Sequence, residues 1–355
     1  MKLPDFPWDA LAPYGQRAKS HPQGAIDLSQ GTPVDPTPDF IQGELRASAN
    51  SPSYPVTTGT NELRESIKKY ARETLGASGE FDVLPTIGSK EMVALLPFLL
   101  EAKRILIPKI AYPTYRVGGL LAKAEVIEVD IDPSTWPTKD IDLVWLNTPS
   151  NPTGRVHSES EMRAVVDWSR AHGIIIASDE CYLPFPDKKN GTSILKIAEG
   201  DNKNLVALHS LSKRSNLAGY RAAFVVGDSA IIGKLLEIRK HMGMMVPLPV
   251  QRAMSLALAD EIHVGQQAEL YRNRRGRLAR ALTDNGFKIE NSESGLYIWC
   301  TRGESDWESV AWFADRGIIV TPGNFYGEAG NKHIRIALTA TDAKIDEAAT
   351  RIGLK

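Results

Sequence analysis

Three charged side chains, each at or just past the end of an apolar segment, could do chemistry together. Lys213 ends the segment 207–213, in which an apolar strand pattern leads into Ser-Leu-Ser-Lys, and Arg221 follows eight positions later. Asp179 directly follows a second apolar run at 174–178. An amine can bond to a carbonyl carbon, an arginine can grip a phosphate through two hydrogen bonds, and a half-buried carboxylate needs a cation. These residues therefore favour a ligand with a carbonyl, a phosphate and a basic nitrogen.

Pyridoxal 5′-phosphate carries all three groups. We expect Lys213 to bond to its aldehyde, Asp179 to pair with its ring nitrogen, and Arg221 to hold its phosphate. The carboxylate would keep the ring nitrogen protonated, which makes the ring an electron sink. Taken singly, a lysine is usually a solvated surface residue and an acid at this place can cap a helix. The combination of the three favours the cofactor.

Two further segments offer contacts for the same ligand. The segment 88–90, Gly-Ser-Lys, follows a predicted strand and opens a helix, so its backbone N–H groups and the helix dipole suit a phosphate. An ordinary strand–helix turn with a serine cap is the alternative. Asn151 follows the strand that ends at Asn147, and its amide can donate to a phenolic oxygen. The segment Asn-Pro-Thr-Gly also makes a turn.

The elements that must position these residues alternate in type from about residue 80. Apolar runs predict strands at 83–87, 104–108, 124–130, 143–146, 174–178, 205–209 and 222–226, and helical periodicity covers 159–172 and 229–241. Nearly all-apolar strands between amphipathic helices predict an α/β fold with a mostly parallel sheet covered on both faces. Ligands of such sheets lie outside the carboxyl ends of the strands, where the candidate residues gather.

The pattern changes after about residue 250. A long helix is predicted at 261–285, strands at 287–290, 297–301, 318–321 and 334–338, and helices at 307–315 and 343–352. We predict a large cofactor-binding domain at 29–260 and a smaller α+β domain. The small domain would combine 261–355 with the Pro-rich segment 1–28, which is too short to fold alone.

Composition excludes several classes of function. The 355 residues include 42 Lys and Arg against 43 Asp and Glu, a balance without the basic field that favours nucleic acid. Two cysteines, Cys181 and Cys300, give neither a disulfide framework nor a metal-ligand spacing, so no metal is expected. The longest apolar run, 92–100, is far shorter than the roughly 20 residues that span a bilayer. The N-terminus lacks a signal-peptide core, and we expect a cytoplasmic protein.

The same residues resemble the class I aminotransferases, pyridoxal-phosphate enzymes with the aspartate-aminotransferase fold (fold type I), across almost the whole chain. The resemblance implies roles for Lys213, Asp179 and Tyr182 in catalysis, and further contacts with the cofactor. Those contacts are hydrogen bonds from Asn151 and Tyr182 to the phenolic oxygen, stacking of Tyr115 on the pyridine ring, and phosphate contacts from Ser210 and Arg221.

The resemblance also implies how substrate and subunits meet. Arg335 matches the arginine that forks onto the substrate α-carboxylate, beside Asn151, and Gly31 lies in the segment that matches the substrate loop. Tyr54 matches a tyrosine that reaches the phosphate of the neighbouring subunit, which implies a homodimer with amino-acid and keto-acid substrates.

Finer segments, at 85–91, 112–116 and 211–221, are similar to the actinobacterial type of N-succinyldiaminopimelate aminotransferase, an enzyme of lysine and diaminopimelate synthesis. That similarity implies amino transfer from L-glutamate to N-succinyl-2-amino-6-oxopimelate. Arg17, Lys19 and Arg116 are candidates for binding the distal carboxylates. A transaminase for aspartate, alanine or an aromatic amino acid, and a β-elimination lyase, remain alternatives. An effector-sensing regulator would need a DNA-binding domain, for which residues 1–30 are too short.

Overall fold

The computed structural model describes residues 3–354, and its elements alternate as expected through the middle of the chain. The strands are β1 Ile26–Asp27, β2 Asp82–Ile87, β3 Arg104–Pro108, β4 Glu125–Val129, β5 Leu143–Asn147, β6 Ile175–Asp179, β7 Leu205–Ser210, β8 Ala222–Gly227, β9 Lys288–Ile289, β10 Tyr297–Thr301, β11 Ile318–Ile319, β12 Thr321–Pro322 and β13 Ile334–Ala337. The helices are α1 Ala12–Lys19, α2 Asp39–Ala47, α3 Asn61–Glu73, α4 Ser89–Leu99, α5 Thr114–Leu121, α6 Glu159–His172, α7 Ile194–Ile197, α8 Leu211–Arg214, α9 Ser229–Met242, α10 Leu248–Leu258, α11 Ile262–Asp284, α12 Asp306–Asp315 and α13 Asp342–Gly353.

A seven-stranded sheet in the order β2-β8-β7-β6-β5-β3-β4 confirms the predicted α/β class. Its pairs β3–β4, β3–β5, β5–β6 and β6–β7 are parallel, whereas β8 runs antiparallel to both β7 and β2. Successive residues of a strand point to opposite faces. Accordingly Val144 and Leu146 pack in one apolar cluster, and Leu143 and Trp145 pack in another on the opposite face. Helices cover both clusters, so the sheet is buried on both faces.

Helix α6 shows how local sequence sets the position of a strand end. The Ser158 hydroxyl accepts the N–H of Glu161, and the Glu161 carboxylate accepts the N–H of Ser158 at 2.8 Å, which is a reciprocal cap at the helix start. The helix ends at Gly173, which has a left-handed φ of 68° that a glycine adopts without strain. The chain can then turn at once into β6, whose last residue is Asp179.

The remaining strands form two smaller sheets and correct one predicted strand. The run 318–321 was expected to be a single strand, but the chain splits it at Val320. Ile318 and Ile319 pair with β1 in a two-stranded parallel sheet, while Thr321 and Pro322 pair with β13 in the antiparallel order β12-β13-β10-β9. A strand whose halves serve two sheets has no distinct periodicity, so the sequence could not show the break.

A third apolar cluster joins the start of the chain to its end. Leu11, Ile26 and Leu28 are buried together with apolar residues of β10, β13 and α11–α13. Apolar residues of the N-terminal segment and of the C-terminal unit thus share one core. The division into a large and a small domain, with boundaries at 28/29 and 260/261, stays a prediction. Among residues 3–354, no helix is both long and apolar enough to cross a membrane.

Candidate active site

A cavity of about 900 Å³ lies at the carboxyl end of the large sheet, and we call it the cleft. It collects most of the side chains that the sequence singled out. Its lining includes Gly31, Ser89, Lys90, Asn151, Asp179, Tyr182, Lys213, Arg221 and Arg335. Gly88, Tyr115, Ser210 and Tyr54 are predicted site residues that do not line it. Cations, the Asp179 carboxylate and hydroxyl groups thus surround one space, although their sequence positions span some 300 residues.

Lys213 reaches the cleft from the short helix that follows β7. The Ser210 hydroxyl accepts the N–H of Ser212 at 3.1 Å and so caps this turn. Lys213 is half-buried and lines the cleft together with Ser212. Ser210 does not line the cleft, whereas Ser212, which the sequence reasoning passed over, does. The predicted phosphate contact of Ser210 stays a prediction.

Asp179 ends β6 beside Asn147, its register partner on β5. Only 7% of Asp179 is exposed. One carboxylate oxygen accepts the Tyr115 hydroxyl at 2.8 Å, and the other accepts the N–H of Cys181 at 3.2 Å. A buried carboxylate with these two donors is held in a single orientation, and it keeps lone pairs for a cation in the cleft.

The structure corrects the predicted role of Tyr115. Its side chain is fully buried, its ring stacks on Trp145 with centroids 4.9 Å apart, and its hydroxyl is bonded to Asp179. Burial and the neighbouring Asp179 charge raise the pKa of Tyr115 well above its usual range, so it stays a donor. The aromatic side chain of this segment that lines the cleft is Tyr112, three residues earlier. Tyr112 lies in the loop between β3 and α5, whereas Tyr115 already belongs to α5.

Ser89 and Arg221 line the part of the cleft that suits a phosphate, and Gly88 lies against the Arg221 guanidinium without lining the cleft itself. Gly88 caps α4 with φ 74° and ψ 153°, a conformation that side chains disfavour. A Cβ at Gly88 would lie 2.1 Å from a guanidinium nitrogen of Arg221, so the missing side chain is what lets Arg221 approach. The guanidinium also donates to the Ala218 carbonyl at 2.9 Å. A helix N-terminus and an oriented arginine provide a matched pair of anion donors.

Arg335 lies at the opposite end of the cleft and is 2% exposed. It donates to the Asn151 carboxamide oxygen at 2.9 Å and to the Ser29 carbonyl. Its guanidinium lies over the rings of Tyr297 and Tyr326, at 4.1 and 5.0 Å from their centroids. Its Nε finds no hydrogen-bond partner among the described residues. A buried, charged fork with a free donor suits a carboxylate ligand.

Arg335 also determines which way Asn151 faces. Because the carboxamide oxygen accepts from Arg335, the NH₂ group is the part of Asn151 that remains for a ligand. The backbone N–H of Asn151 donates to the Asn147 side chain at 2.7 Å, which ties the segment to the end of β5. The predicted donation from Asn151 to a phenolic oxygen is compatible with this arrangement.

Tyr182 and Gly31 share a neighbour that sequence reasoning missed. The Tyr182 hydroxyl lies 3.0 Å from that of Tyr297, and a Cβ at Gly31 would lie 2.0 Å from the same Tyr297 oxygen. Tyr297 begins β10, which pairs antiparallel with β13, the strand that carries Arg335. Only this long-range pairing places Tyr297 in the cleft.

The predicted distal cations are not all in the cleft. Arg17 pairs with Asp315, and neither Arg17 nor Lys19 lines the cavity. Arg116 does line it, and its guanidinium is paired with Glu128 at 2.5 Å. Among the described residues, no three His, Cys, Asp or Glu side chains are grouped to hold a metal ion.

Tyr54 lies outside the cleft, and 92% of it is exposed. If it serves the site of a partner subunit, mixed dimers will show it. We expect Lys213→Ala chains mixed with Tyr54→Ala chains to regain about a quarter of parental activity, because half of the random dimers carry one intact site. Activity is measured after subunit exchange has been verified with differently tagged chains. Absence of recovery would mean that Tyr54 acts within its own chain.

Comparison with known proteins agrees with the chemistry of the cleft. The family described as aminotransferase class I and II matches residues 23–352. A probable aminotransferase of Mycobacterium tuberculosis is 48% identical over 357 residues, covering 99% of this chain and 85% of the relative. The 4-dedimethylamino-4-oxo-anhydrotetracycline transaminase OxyQ of Streptomyces rimosus is 46% identical over 357 residues, covering 99% of each.

Among solved structures, a probable N-succinyldiaminopimelate aminotransferase of Thermus thermophilus superposes with a TM-score of 0.90 at 26% identity, covering 98% of this chain and 99% of that one. The match of fold, family and near-complete length leads to one conclusion. The chain belongs to the class I and II aminotransferases, pyridoxal 5′-phosphate enzymes with the aspartate-aminotransferase fold.

Proposed function

We propose that this aminotransferase moves the amino group of L-glutamate to N-succinyl-2-amino-6-oxopimelate, giving N-succinyl-LL-2,6-diaminopimelate. The observation that carries the proposal is the buried fork of Arg335 in the same cavity as Lys213. Both substrates present a carboxylate next to the reacting carbon, and one arginine can hold each of them in turn. The likeness to the Thermus structure described as a probable enzyme of this type adds support.

The residues of the cleft fit the cofactor. Ser89 and Arg221 can hold its phosphate, Asp179 can pair with its ring nitrogen, and Lys213 can bond to its aldehyde. Gly88, at which a Cβ would lie 2.1 Å from a guanidinium nitrogen of Arg221, lets that arginine take the position that this fit requires. When bound, the cofactor supplies a carbonyl that carries the amino group and a ring that accepts electrons.

The chain's own residues supply the rest of the reaction. When it is not bonded to the cofactor, the Lys213 amine can take a proton from the Cα of glutamate. In the second half of the reaction it can give a proton to the Cα of the acceptor. Arg335 orients the α-carboxylate so that the Cα–H bond faces this amine. Asp179, whose carboxylate accepts the Tyr115 hydroxyl, would place its negative charge beside the ring nitrogen of the cofactor. That charge favours the protonated, positively charged form of the nitrogen. The buried tyrosines around Arg335 exclude water from the carboxylate contact.

The acceptor also carries carboxylates at its far end, and the mouth of the cleft offers two cations for them. Lys90 is exposed at the start of α4, and Arg116 lines the same cleft with Glu128 as its partner. A carboxylate bound at Arg116 would have to share or displace Glu128. We therefore assign Lys90 the larger share of the distal contact.

A second candidate follows from a different part of the cleft. Phe6, Trp8 and Phe325 line its mouth, and the ring of Trp8 meets that of Phe325 edge-on at 5.6 Å. An aromatic wall of this kind suits a bulky apolar ketone. The relative from Streptomyces rimosus is named for such a compound, an oxo derivative of anhydrotetracycline. Transamination of a polycyclic ketone is therefore the alternative substrate class.

The two candidates are separated by a single-turnover panel. Enzyme converted to its amino form with glutamate is mixed with the succinylated keto acid, oxaloacetate, pyruvate, phenylpyruvate or the oxo-anhydrotetracycline, and return of the visible absorbance is followed. We expect the succinylated keto acid to give the highest second-order rate, at least about tenfold above the others. A higher rate with the polycyclic ketone would replace the proposed substrate. Release of ammonia and pyruvate from amino acids would indicate a lyase instead.

Removal of Arg335 tests the shared carboxylate contact. Arg335→Lys keeps the charge but loses the two-pronged hydrogen bonding of arginine. We therefore expect kcat/KM to fall for glutamate and for the acceptor alike, by a factor that corresponds to about 2–5 kcal/mol of activation free energy. Steady-state kinetics with both substrates measures it. Lys90→Ala serves as the matched control, because it should weaken only the acceptor. A variant at Arg335 that affects one substrate alone would mean that Arg335 contacts the distal end.

A further inference from the structure

The hydroxyl groups of Tyr182 and Tyr297 form a buried pair that none of the assigned roles explains. The two oxygens are 3.0 Å apart, and the rings meet at 68° with centroids 5.6 Å apart. Tyr182 is 7% and Tyr297 3% exposed. The two residues belong to different parts of the fold, one just after β6 and the other at the start of β10. The contact is therefore a tertiary link across the cleft.

Tyr297 is held firmly on its other sides. Its ring lies under the Arg335 guanidinium, and a Cβ at Gly31 would clash with its hydroxyl, so the loop at Gly31 packs directly against it. Arg275 donates to the Tyr297 carbonyl at 2.7 Å and is itself paired with Asp187 at 2.9 Å. A side chain fixed by this many contacts has a defined hydroxyl position.

The number of available protons determines which of the two hydroxyl groups donates the hydrogen bond between them. Each hydroxyl has one O–H to donate. If Tyr182 gives its proton to the phenolic oxygen of the cofactor, its own oxygen must accept from Tyr297. Burial, followed by the nearby Tyr297 and Asp179, holds the pKa of Tyr182 well above its usual range, so Tyr182 keeps the proton that it donates.

We propose that Tyr297 is a positioning residue that connects the two ends of the site. Its hydroxyl donates to Tyr182 and strengthens the donation of Tyr182 to the cofactor, while its ring face holds Arg335 for the substrate carboxylate. The inference rests on the placement of the phenolic oxygen beside Tyr182, which belongs to the proposed function. Donors in a chain polarise one another, so loss of the outer donor weakens the inner bond.

The spectroscopic test uses the holoenzyme and needs no turnover. A donor at the phenolic oxygen withdraws charge and lowers the basicity of the Lys213 nitrogen once it is bonded to the cofactor. Tyr182→Phe should therefore raise the midpoint pH of the visible absorbance change by about one unit. Tyr297→Phe, which removes only the outer hydroxyl, should raise it by roughly 0.3 unit. The double variant should match Tyr182→Phe alone, since the outer donor acts through the inner one.

A kinetic experiment tests the contact between the Tyr297 ring and Arg335. Tyr297→Phe keeps an aromatic ring under Arg335, so its KM for glutamate should stay close to that of the parent. Tyr297→Leu removes the ring, and its KM should rise by about tenfold with a smaller change in kcat. Tyr271→Phe is the matched control, because Tyr271 is buried nearby and its hydroxyl finds no hydrogen-bond partner among the described residues. It should change neither the midpoint nor KM.

The possible negative results distinguish the cofactor contact of Tyr182 from the positioning role of Tyr297. If Tyr182→Phe leaves the midpoint in place, the cofactor contact of Tyr182 is wrong, and the role of Tyr297 is wrong with it. If Tyr182→Phe shifts the midpoint but Tyr297→Phe does not, or if the two shifts add, only the positioning role is overturned. The isosteric Tyr297→Phe variant keeps the question open to test even if Tyr297→Leu fails to fold.

Discussion

Lys213→Ala enzyme is expected to fold and to bind pyridoxal 5′-phosphate weakly, with activity lower on the order of 10⁴-fold. The loss combines two effects, because the lysine both bonds to the cofactor and moves the proton at the substrate Cα. In the parent, borohydride should reduce the lysine–cofactor bond to a stable secondary amine, which mass spectrometry of a peptide containing Lys213 detects. The variant should carry no such adduct.

Two controls accompany this result. Lys213→Arg keeps a positive charge in the cleft but cannot form the bond, so its activity should fall as far. Lys203→Ala removes an exposed lysine at the opposite end of β7 and should leave both activity and adduct as in the parent. A reducible adduct on Lys213→Ala, with normal turnover, would assign the chemistry to another lysine, and Lys90 would be tested next because it lines the same cleft.

Asp179→Asn is expected to cost on the order of 10³-fold in kcat and to change the fold little. The amide matches the shape of the carboxylate, but it carries no charge to keep the ring nitrogen protonated. The Tyr115 hydroxyl, which now donates to Asp179 at 2.8 Å, can still donate to the amide oxygen. Stopped-flow measurement of the glutamate half-reaction isolates the affected step, and circular dichroism checks the fold.

Tyr115→Phe gives a graded comparison for the same carboxylate. It removes one hydrogen bond to Asp179, which is worth about 1.5–3 kcal/mol when the acceptor is charged. We expect a partial loss of kcat, smaller than that of Asp179→Asn. Parental rates in Asp179→Asn would contradict the role of this residue, whatever the behaviour of Tyr115→Phe.

Residues whose position depends on the end of a strand could be predicted from the sequence. Asp179 and Lys213 follow apolar runs that form adjacent parallel strands, β6 and β7, so their meeting in the cleft follows from sheet geometry alone. The phosphate segment at Gly88 could be predicted for the same reason, since it joins β2 to α4. Local pattern was enough in each of these cases.

Residues whose position depends on helix phase or long-range pairing could not be predicted in this way. Tyr112 and Tyr115 are three residues apart, and only the start of α5 determines that one lines the cleft and the other packs on Trp145. Tyr297 reaches the site through the pairing of β10 with β13. Local sequence contains no signal for a partner some 40 residues away, so this contact needed the structure.

The aromatic wall at the mouth of the cleft has a consequence for how such an enzyme can diversify. Proton transfer depends on residues at the strand ends of the large sheet, whereas the wall consists of Phe6, Trp8 and Phe325, which lie outside that sheet. Substitutions at these three positions change what the mouth accepts and leave Lys213 and Asp179 where they are. New substrate preferences can therefore arise in this chain through a few changes at the mouth, while the catalytic residues stay intact.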